Sequence, residues 1–444
     1  MTVLSVVSGS GFHEAHCVHS AQVSNSQPPV PPALQRRTLA VLSAAQILVG
    51  LGSGSALALG AVVGERLAGT ASAAGLPTTL TTLGAAVAGI PLAALAQRRG
   101  RRPALGTGAL VAALGSLIVL GAVQLGSFAV MLVGMLLLGA STAVALQARF
   151  AAVDLSSSAR RGRDLSLLVW TTLIGSVVGP ALVEPGGVLA ERIGLEPLAG
   201  PFVIAAVAQL LAAAVLFAAL RPDPLLMARA AAGRTDAGRG GTIRGAAREL
   251  AHRPVALASV VAVVSAHAVM VAVMALTPVH MTHAGLSLGV VGLSISAHVA
   301  GMYALAPVFG LLTDRLGALP IIVAGQLVLT ASCIVGFVAA DSHAALVTAL
   351  VLLGLGWSMS TVAGAAMLTE HTSDELRADV QGLSDSAMSL AGAVGGLAAG
   401  VVVGAFGYAT LVLSGAVVAL ATVGCVVPLV RRGSDADGGR ARVA

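Results

Sequence analysis

Arg98-Arg99-Gly100-Arg101-Arg102-Pro103 separates two long apolar stretches, and Asp314-Arg315-Leu316-Gly317-Ala318-Leu319-Pro320 separates two others. The offset between the copies, 217 residues, also relates glycines of the two halves: Gly84 to Gly301, Gly139 to Gly356, Gly175 to Gly392 and Gly179 to Gly396. A constant offset indicates two halves built on one plan. Two similar hydrophobic halves are typical of membrane transporters, which move around a site at the interface of the halves.

The composition predicts an all-α integral membrane protein. The chain is 57% hydrophobic and only 10% charged, whereas soluble domains are about 25% charged. Residues 103–148, 254–313 and 386–430 contain no Asp, Glu, Lys or Arg. Each of these runs is long enough for two helices, because one membrane helix needs about 20 apolar residues. The runs also lack the alternation of about 10 residues that a membrane β-barrel requires.

The apolar segments predict twelve transmembrane helices in two pseudo-symmetric six-helix halves. We number them as spans 1 to 12, at residues 38–63, 71–97, 103–124, 127–150, 165–187, 199–220, 254–279, 286–312, 320–340, 343–368, 380–405 and 408–430. The halves are then 38–220 and 254–430, joined by an arginine-rich linker, 221–253, with an amphipathic piece expected around 246–252. The polar tails, 1–37 and 431–444, are expected to be disordered.

Arginine placement predicts the orientation. All basic residues are arginine, and 22 of the 25 fall in the tails, the linker and the loops of one membrane face. Cytoplasmic loops carry such an excess of arginine. We therefore expect a multi-pass protein of the inner (cytoplasmic) membrane, with both termini in the cytoplasm. The net charge of +6 is not gathered on one patch, which argues against a nucleic-acid partner. The lipid bilayer is the expected environment.

The repeated loops resemble the signature of the major facilitator superfamily, roughly G-x-L-A-D-R-x-G-R-R between helices 2 and 3. The second copy, Gly310 to Gly317, matches well, whereas the first has Ala93 in place of the glycine and Gln97 in place of the aspartate. The resemblance implies a gating role for the loop residues Arg98, Arg102, Asp314 and Arg315. It also implies that Asp314 meets the start of span 5, near 164–166, and that Gln97 meets the start of span 11, near 379–381.

Span 5 carries a second resemblance. Gly175, Gly179 and Pro180 form a G-x-x-x-G-P element similar to that of the proton-coupled drug antiporters. The Gly-Gly pair that usually follows at once is delayed to 186–187, and the arginine that the branch carries in the middle of helix 4 is missing. In span 11, Gly392 begins a stripe of glycines spaced by four residues, which predicts close packing, against span 2 within the chain or between two chains.

Charged residues within or at the end of spans are costly to bury, so a functional role is the first hypothesis for Asp385 and Arg149. Asp385 is either a protonation site coupled to transport or a structural partner of Arg149 or Arg377. Arg149 either contacts substrate at the inner mouth or is held by Asp154, Glu370 or Asp385 while its stem lies along apolar surface.

The resemblance implies that helices 1, 4, 7 and 10 line a central cavity. The candidate cavity residues on or beside these helices are Gln46, Ser53, Ser141, Thr142, His267, Met270, His298, Trp357, Ser358 and Ser360. Tryptophan can stack against apolar or cationic compounds. Histidine can carry protons near neutral pH, or bind soft metals together with methionine, and structural roles for these histidines stay open. The tail sequence from His13 to His19 also has a chelating composition.

These patterns predict a monomeric secondary transporter that works by alternating access and exports hydrophobic or cationic small molecules, with the proton as coupling ion and no cofactor. The chain has no G-x-x-x-x-G-K-[ST] loop for direct use of ATP. The alternative substrate is a metal ion carried along His- and Met-containing spans 7 and 8, with the metal unknown. A membrane enzyme or a non-transporting sensor is the alternative of another class.

Overall fold

We describe a computed structural model of the protein, for residues 32–156, 160–232, 243–338, 342–373 and 376–441. The apolar runs form long helices, since a backbone in lipid must satisfy its hydrogen bonds within the segment. Twelve helices of the described chain are long and apolar enough to cross a membrane. The all-helical fold in twelve spans is therefore confirmed.

Spans 1 to 6 consist of Pro32–Ala68, Leu76–Arg99, Arg101–Leu125, the pair Phe128–Leu138 and Ala140–Val153, Arg161–Ala181, and Gly200–Ala219. A short helix, Val183–Arg192, follows span 5. Spans 7 to 12 consist of Pro254–His283, the pair Leu288–Tyr303 and Ala306–Leu316, Ala318–Val338, His343–Glu370, Arg377–Phe406 and Tyr408–Ala441. The linker contains a first linker helix, Pro224–Ala232, and a second linker helix, Ile243–His252.

Several boundaries differ from those expected. Span 1 begins at Pro32 and the last helix continues to Ala441, so both helices extend into the segments expected to be polar tails. Span 11 begins at Arg377 rather than at 380, which sets Asp385 about 12 Å from the start of its helix at about 1.5 Å per residue. The amphipathic piece expected near 246–252 lies in the second linker helix. The segment from His13 to His19 falls outside the described residues.

The two halves repeat the same internal packing. Gly84 in span 2 lies against the backbone of span 4 at Leu136, and Gly301 in span 8 lies against the backbone of span 10 at Val351. Glycine is needed at Gly84, since a β-carbon there would collide with the carbonyl of Leu136. The sequence offset therefore corresponds to equivalent helix contacts, as expected from an internal repeat.

The molecule has two ends that differ in how the halves meet. We call the end with the linker and the two repeated loops the linker face, and the other end the far face. At the far face, span 2 packs on span 11, where Gly75 contacts the carbonyl of Gly396 and Thr79 Oγ1 donates to the carbonyl of Ala393 over 3.0 Å. Span 5 packs on span 8 in the same way, with Pro180 against Gly292.

Toward the linker face the halves separate. Arg149 of the first half and Asp385 of the second are both exposed, although each lies within a membrane span. Their exposure indicates a central cavity that opens at the linker face while the far face is closed. The packing expected of the span 11 glycine stripe is found in part. Gly396, Gly400 and Gly404 lie against residues 72–79, at and just before the start of span 2, whereas Gly392 lies against span 7.

Candidate functional site

An aromatic wall in the second half borders the central cavity. Trp357 of span 10 donates its indole N–H to Nδ1 of His267 in span 7 over 3.1 Å. Tyr303 of span 8 meets the Trp357 ring edge to face, with the ring centroids 5.7 Å apart. The three side chains come from three spans and form one connected cluster, in which His267 and Tyr303 are half-buried and Trp357 is buried between them. Such a cluster offers rings and polar edges to a flat or amphiphilic molecule.

A helix break positions Tyr303. Span 8 is interrupted between Tyr303 and Ala306. Pro307 has no N–H to donate to the carbonyl four residues earlier, that of Tyr303, and its ring crowds that carbonyl. The break therefore follows from the sequence, and it places the tyrosine at the end of a helix segment beside the cavity.

Opposite charges from opposite halves lie within electrostatic range of each other next to this cluster, without a direct ion pair. The guanidinium of Arg149 in span 4 lies close enough to the carboxylate of Asp385 in span 11 and to the Tyr303 side chain to interact electrostatically with both. Gln381, one turn earlier, also lies beside the Asp385 carboxylate. Asp154, considered above as a partner for Arg149, instead pairs with Arg101 at 2.8 Å.

Several predicted cavity residues are packed within a half in this conformation. Gln46 donates to Thr172 Oγ1 over 2.9 Å, and Ser141 donates to the carbonyl of Leu138. Met270 and Ser358 are likewise buried. Thr142 is exposed on the same helix face as Arg149, two turns away. Of the predicted set, Thr142 is exposed and His267 is half-buried, whereas Trp357 is buried and contacts His267 and Tyr303.

His298 does not line the open cavity. Its side chain is fully buried between spans 8 and 10, and Nδ1 lies 2.7 Å from the carbonyl of Leu350. Nε2 has no hydrogen-bond partner. Across the described ranges, no group of three or more His, Cys, Asp or Glu side chains is placed to hold a metal ion.

The first repeated loop is held by the linker. Asp223, just beyond span 6, accepts a hydrogen bond from the backbone N–H of Arg102 over 2.7 Å. Arg102 Nε donates to the carbonyl of Phe217. Arg229 in the first linker helix donates to both the backbone and the side-chain oxygen of Gln97. The loop is thus tied to its own half, while Arg98 is exposed.

The second repeated loop is free at the linker face. Asp314 and Arg315 are exposed, and within the described residues no hydrogen bond or ion pair engages Asp314. At the start of span 5, the Asp164 carboxylate accepts hydrogen bonds from Ser156 over 2.6 Å and from Gln35 over 2.9 Å. The contact expected between Asp314 and span 5 is therefore not made in this conformation, because the halves stand apart at that face.

The glycine-proline element of span 5 lies against span 1. Gly175 contacts the backbone of Ile47 and Gly179 that of Leu51, both too closely for a β-carbon. Pro180, in contrast, reaches across to Gly292 of the second half. The element thus joins close packing inside the first half to the far-face contact between the halves.

An ion pair spans the halves at the far face. Nε2 of His283 in span 7 lies 3.2 Å from Oε2 of Glu65 in span 1, a pair that is charged on both sides only when the histidine is protonated. Nearby, Arg66 pairs with Glu196. His280, three residues before His283 in span 7, stacks on Tyr408 with ring centroids 4.2 Å apart. The two histidines therefore make different contacts.

The chain matches known proteins over nearly its whole length. The sequence profile of the Major Facilitator Superfamily matches residues 42–294 and 258–442. The chain belongs to the major facilitator superfamily. It is therefore a multi-pass membrane transporter rather than an enzyme.

Relatives from this superfamily share substantial identity. The chain is 38% identical over 410 residues to YdeG of Bacillus subtilis (strain 168), an uncharacterized MFS-type transporter, covering 92% of this chain and 95% of YdeG. It is 31% identical over 409 residues to the riboflavin transporter RfnT of Brucella anthropi, covering 90% of this chain and 98% of RfnT.

A solved structure shares the fold. A bacterial homolog of the human lysosomal transporter Spinster, in an inward-facing and occupied conformation, has a TM-score of 0.66 and 17% identity to this major facilitator chain. The match covers 89% of this chain and 94% of that one.

Three residues of the site were not singled out from the sequence. Tyr303 is one of only two tyrosines in the chain, and its position just before the break at Pro307 was a usable signal. Asp223 carries no motif of its own, since its role depends on the helix end that span 6 brings beside it. Glu65 pairs with a histidine more than 200 positions away, which a local pattern does not reveal.

Proposed function

We propose that this transporter exports hydrophobic or cationic small organic molecules across the cytoplasmic membrane in exchange for protons. The observation that carries the proposal is the electrostatic interaction of Arg149 with Asp385, from opposite halves, beside the aromatic wall of a cavity open at the linker face. A carboxylate in such a place can pair with an arginine, take up a proton or pair with a cationic substrate. These three states exclude one another, which is the requirement for exchange.

The distribution of arginine supports the direction. The linker face carries the linker, both repeated loops and most of the arginines, so the positive-inside rule places it in the cytoplasm. The cavity then opens inward in this conformation, ready to take a substrate from the cytoplasm. Release outside requires the far-face contacts to part and the linker-face loops to close. We propose that both termini also lie in the cytoplasm. We further propose that the transporter works as a monomer, since the site is built within one chain.

The aromatic wall supports the substrate class. Trp357 and Tyr303 offer ring faces and edges, and His267 adds a polar edge. A cation over an indole ring gains about 0.5–2 kcal/mol, and a flat ring system gains from stacking. The riboflavin transporter RfnT is a relative of this chain, which makes flat heteroaromatic molecules such as riboflavin the second candidate substrates at the same wall.

Growth inhibition and vesicle transport test the proposal together. An efflux-deficient bacterial host would carry vector, wild type or Asp385→Asn, and would be challenged with lipophilic cations, antibiotics, and nickel, cobalt, zinc and copper salts. We expect wild type to protect against organic cations and Asp385→Asn to lose that protection. Protection confined to metals would contradict the proposal and favour metal export.

Everted membrane vesicles give the direct measurement. A pH gradient, acid inside, should drive accumulation of tetraphenylphosphonium or release of a proton upon its addition, and an uncoupler should abolish both. Riboflavin is tested in the same vesicles. Expression of each variant is matched by immunoblot, so that a lost signal reports transport. Absence of any gradient-dependent movement of either compound in wild type would overturn proton-coupled export.

A further inference from the structure

The hydrogen bond between Trp357 and His267 fixes the protonation state of the histidine. An indole N–H only donates, so Nδ1 of His267 must accept, over 3.1 Å. The proton of the neutral imidazole then resides on Nε2. Histidine tautomers follow from such partners, and here the partner leaves no choice: the conformation with the cavity open at the linker face holds a neutral His267.

Protonation of His267 breaks this contact. Both ring nitrogens of an imidazolium are donors, so Nδ1–H would face the indole N–H. Two opposed donors cannot share a hydrogen bond, and an unsatisfied buried donor costs about 1–3 kcal/mol. Trp357 is almost fully buried, so its indole must turn or shift when the histidine gains a proton.

The imidazole of His267 lies in a space that span 11 leaves open for it. Nε2 faces Gly392 of span 11, where a β-carbon would come within 2.9 Å. The position equivalent to His267 in the first half, 217 residues earlier, is Gly50, and that equivalent to Trp357 is Ala140. The pair therefore belongs to the second half alone, and the missing β-carbon of Gly392 makes room for the imidazole.

The other ionisable groups around the ring are few. Tyr303 of span 8 contacts Trp357, Arg149 of span 4 lies near Tyr303, and Asp385 of span 11 lies two turns before Gly392. Span 9 contributes Cys333, farther along near Gly415. Span 8 also carries His298, whose Nδ1 lies 2.7 Å from the carbonyl of Leu350 in span 10, and span 12 carries Tyr408, which stacks on His280. Spans 1 and 10 carry no titratable side chain at this depth: span 1 has none between Arg37 and Glu65, and span 10 none between His343 and Glu370.

We propose that His267 is a proton-binding site whose occupancy sets the position of Trp357, so that a proton on His267 and an aromatic substrate on the cavity wall exclude each other. His267 acts as a positioning residue, through Trp357 and the edge-to-face contact with Tyr303. The neutral state presents the ordered wall, and the protonated state disrupts it. This deepens the proposed exchange of protons for organic molecules and rests on it, although its first test needs no substrate.

Intrinsic fluorescence gives that test, because the chain has only two tryptophans. Trp170 of span 5 is half exposed, and Trp170→Phe leaves Trp357 as the single reporter. The purified Trp170→Phe protein in lipid nanodiscs is titrated between about pH 8 and pH 4. We expect one fluorescence step, as a protonated imidazole quenches a neighbouring indole and the hydrogen bond is lost.

The control variants separate His267 from its neighbours. His267→Asn keeps an oxygen acceptor near the place of Nδ1 but cannot take up a proton in this range, so it should retain the high-pH emission at every pH. Asp385→Asn should keep the step. A step that survives in His267→Asn, or that is absent from Trp170→Phe itself, overturns the proposal.

Binding of an aromatic cation gives the second readout. Competition with a proton should weaken tetraphenylphosphonium binding by about tenfold for each pH unit below the midpoint, since only the neutral fraction binds. In His267→Asn this slope should become shallower, and whatever slope remains is that of the Asp385 carboxylate. A slope unchanged by His267→Asn contradicts the proposal, even if export itself is confirmed. If export fails but the fluorescence step follows His267, only the proposed function is lost.

A glycine pair tests the geometry of the site. Gly392→Ala places a methyl group against Nε2 of His267, whereas Gly382→Ala on the same helix meets open space. We expect the alanine at 392 to shift the midpoint of the fluorescence step and the alanine at 382 to leave it in place. Equal behaviour of the two variants would contradict the close contact between Gly392 and the imidazole.

Discussion

The carboxylate of Asp223 accepts a hydrogen bond from the backbone N–H of Arg102, 2.7 Å away, at the start of span 3. Gly100 lies so close to the same carboxylate that a β-carbon has no room. The N-terminus of a helix favours negative charge, and the first repeated loop has Gln97 where the second has Asp314. The linker thus brings a negative charge to a loop that lacks its own acidic residue.

Asp223→Ala should destabilise the first half. Loss of an N-terminal helix contact costs about 1 kcal/mol, which corresponds to a fall of about 2–4 °C in the unfolding temperature of a six-helix half. Thermal unfolding in detergent measures this change. Asp223→Asn keeps a hydrogen-bond acceptor without the charge, so its unfolding temperature should lie between those of wild type and Asp223→Ala. An unfolding temperature equal to that of wild type in Asp223→Ala would contradict a stabilising role.

Gly75→Ala should prevent closure of the far face. A β-carbon at Gly75 would collide with the carbonyl of Gly396 across the interface. Relief of such a collision costs about 1–3 kcal/mol, so the closed far face should become about tenfold or more less populated. Gly89→Ala is the matched control, because it lies in the same span and meets nothing within 4 Å.

Accessibility of an engineered far-face cysteine to a membrane-impermeant thiol reagent measures the closure. We expect faster labelling in Gly75→Ala than in wild type or Gly89→Ala. Equal rates in all three proteins would show that the contact between spans 2 and 11 does not control the opening.

Asp385→Asn should separate cationic from neutral substrates. The amide keeps hydrogen-bonding capacity but cannot attract a cation, so binding of tetraphenylphosphonium should weaken at least about fivefold, about 1 kcal/mol. A neutral aromatic compound should bind as before, because the wall formed by His267, Trp357 and Tyr303 is unchanged. Binding of both compounds by equilibrium dialysis tests this difference, and equal losses for the two would assign Asp385 a structural role.

Asp314→Asn should slow transport without loss of stability in the conformation described. Asp314 is exposed here, so its amide should leave the unfolding temperature unchanged. In the opposite conformation it is expected to meet the start of span 5, where a charge at a helix N-terminus contributes about 0.3–1 kcal/mol. Turnover should therefore fall about two- to fivefold, and Asp314→Glu should restore part of it. Full turnover in Asp314→Asn would reject the contact.

The fold was largely predictable because lipid leaves the backbone few choices. Long apolar runs without charge must be helical, and the offset between the two loops predicted the halves. The ends of helices were less predictable, since Pro32 and Arg377 lie in polar sequence where hydrogen bonding within the helix, rather than lipid, decides the boundary. The break at Tyr303 was visible only as Pro307, which kinks some membrane helices and leaves others straight.

Several residues of the site could be predicted from the sequence, but their contacts could not. His267 and Trp357 were expected near the cavity separately, but their hydrogen bond depends on the depth and rotation of two helices. His298 has the same residue type and a similar apolar sequence context as His267, yet it is buried between spans 8 and 10 because its face of the helix turns inward. Arg149 and Asp385 were considered partners, and the structure brings them within electrostatic range of each other.

Each end of the linker is attached to its own half. Asp223 and Arg229 contact the first repeated loop, and Glu249 in the second linker helix binds Arg253 and the backbone of Ser373. The peptide between 232 and 243 therefore joins two units that each retain their own anchoring contacts. We expect the gene to tolerate division there, with two co-expressed polypeptides assembling in the bilayer and complementing one another to restore transport.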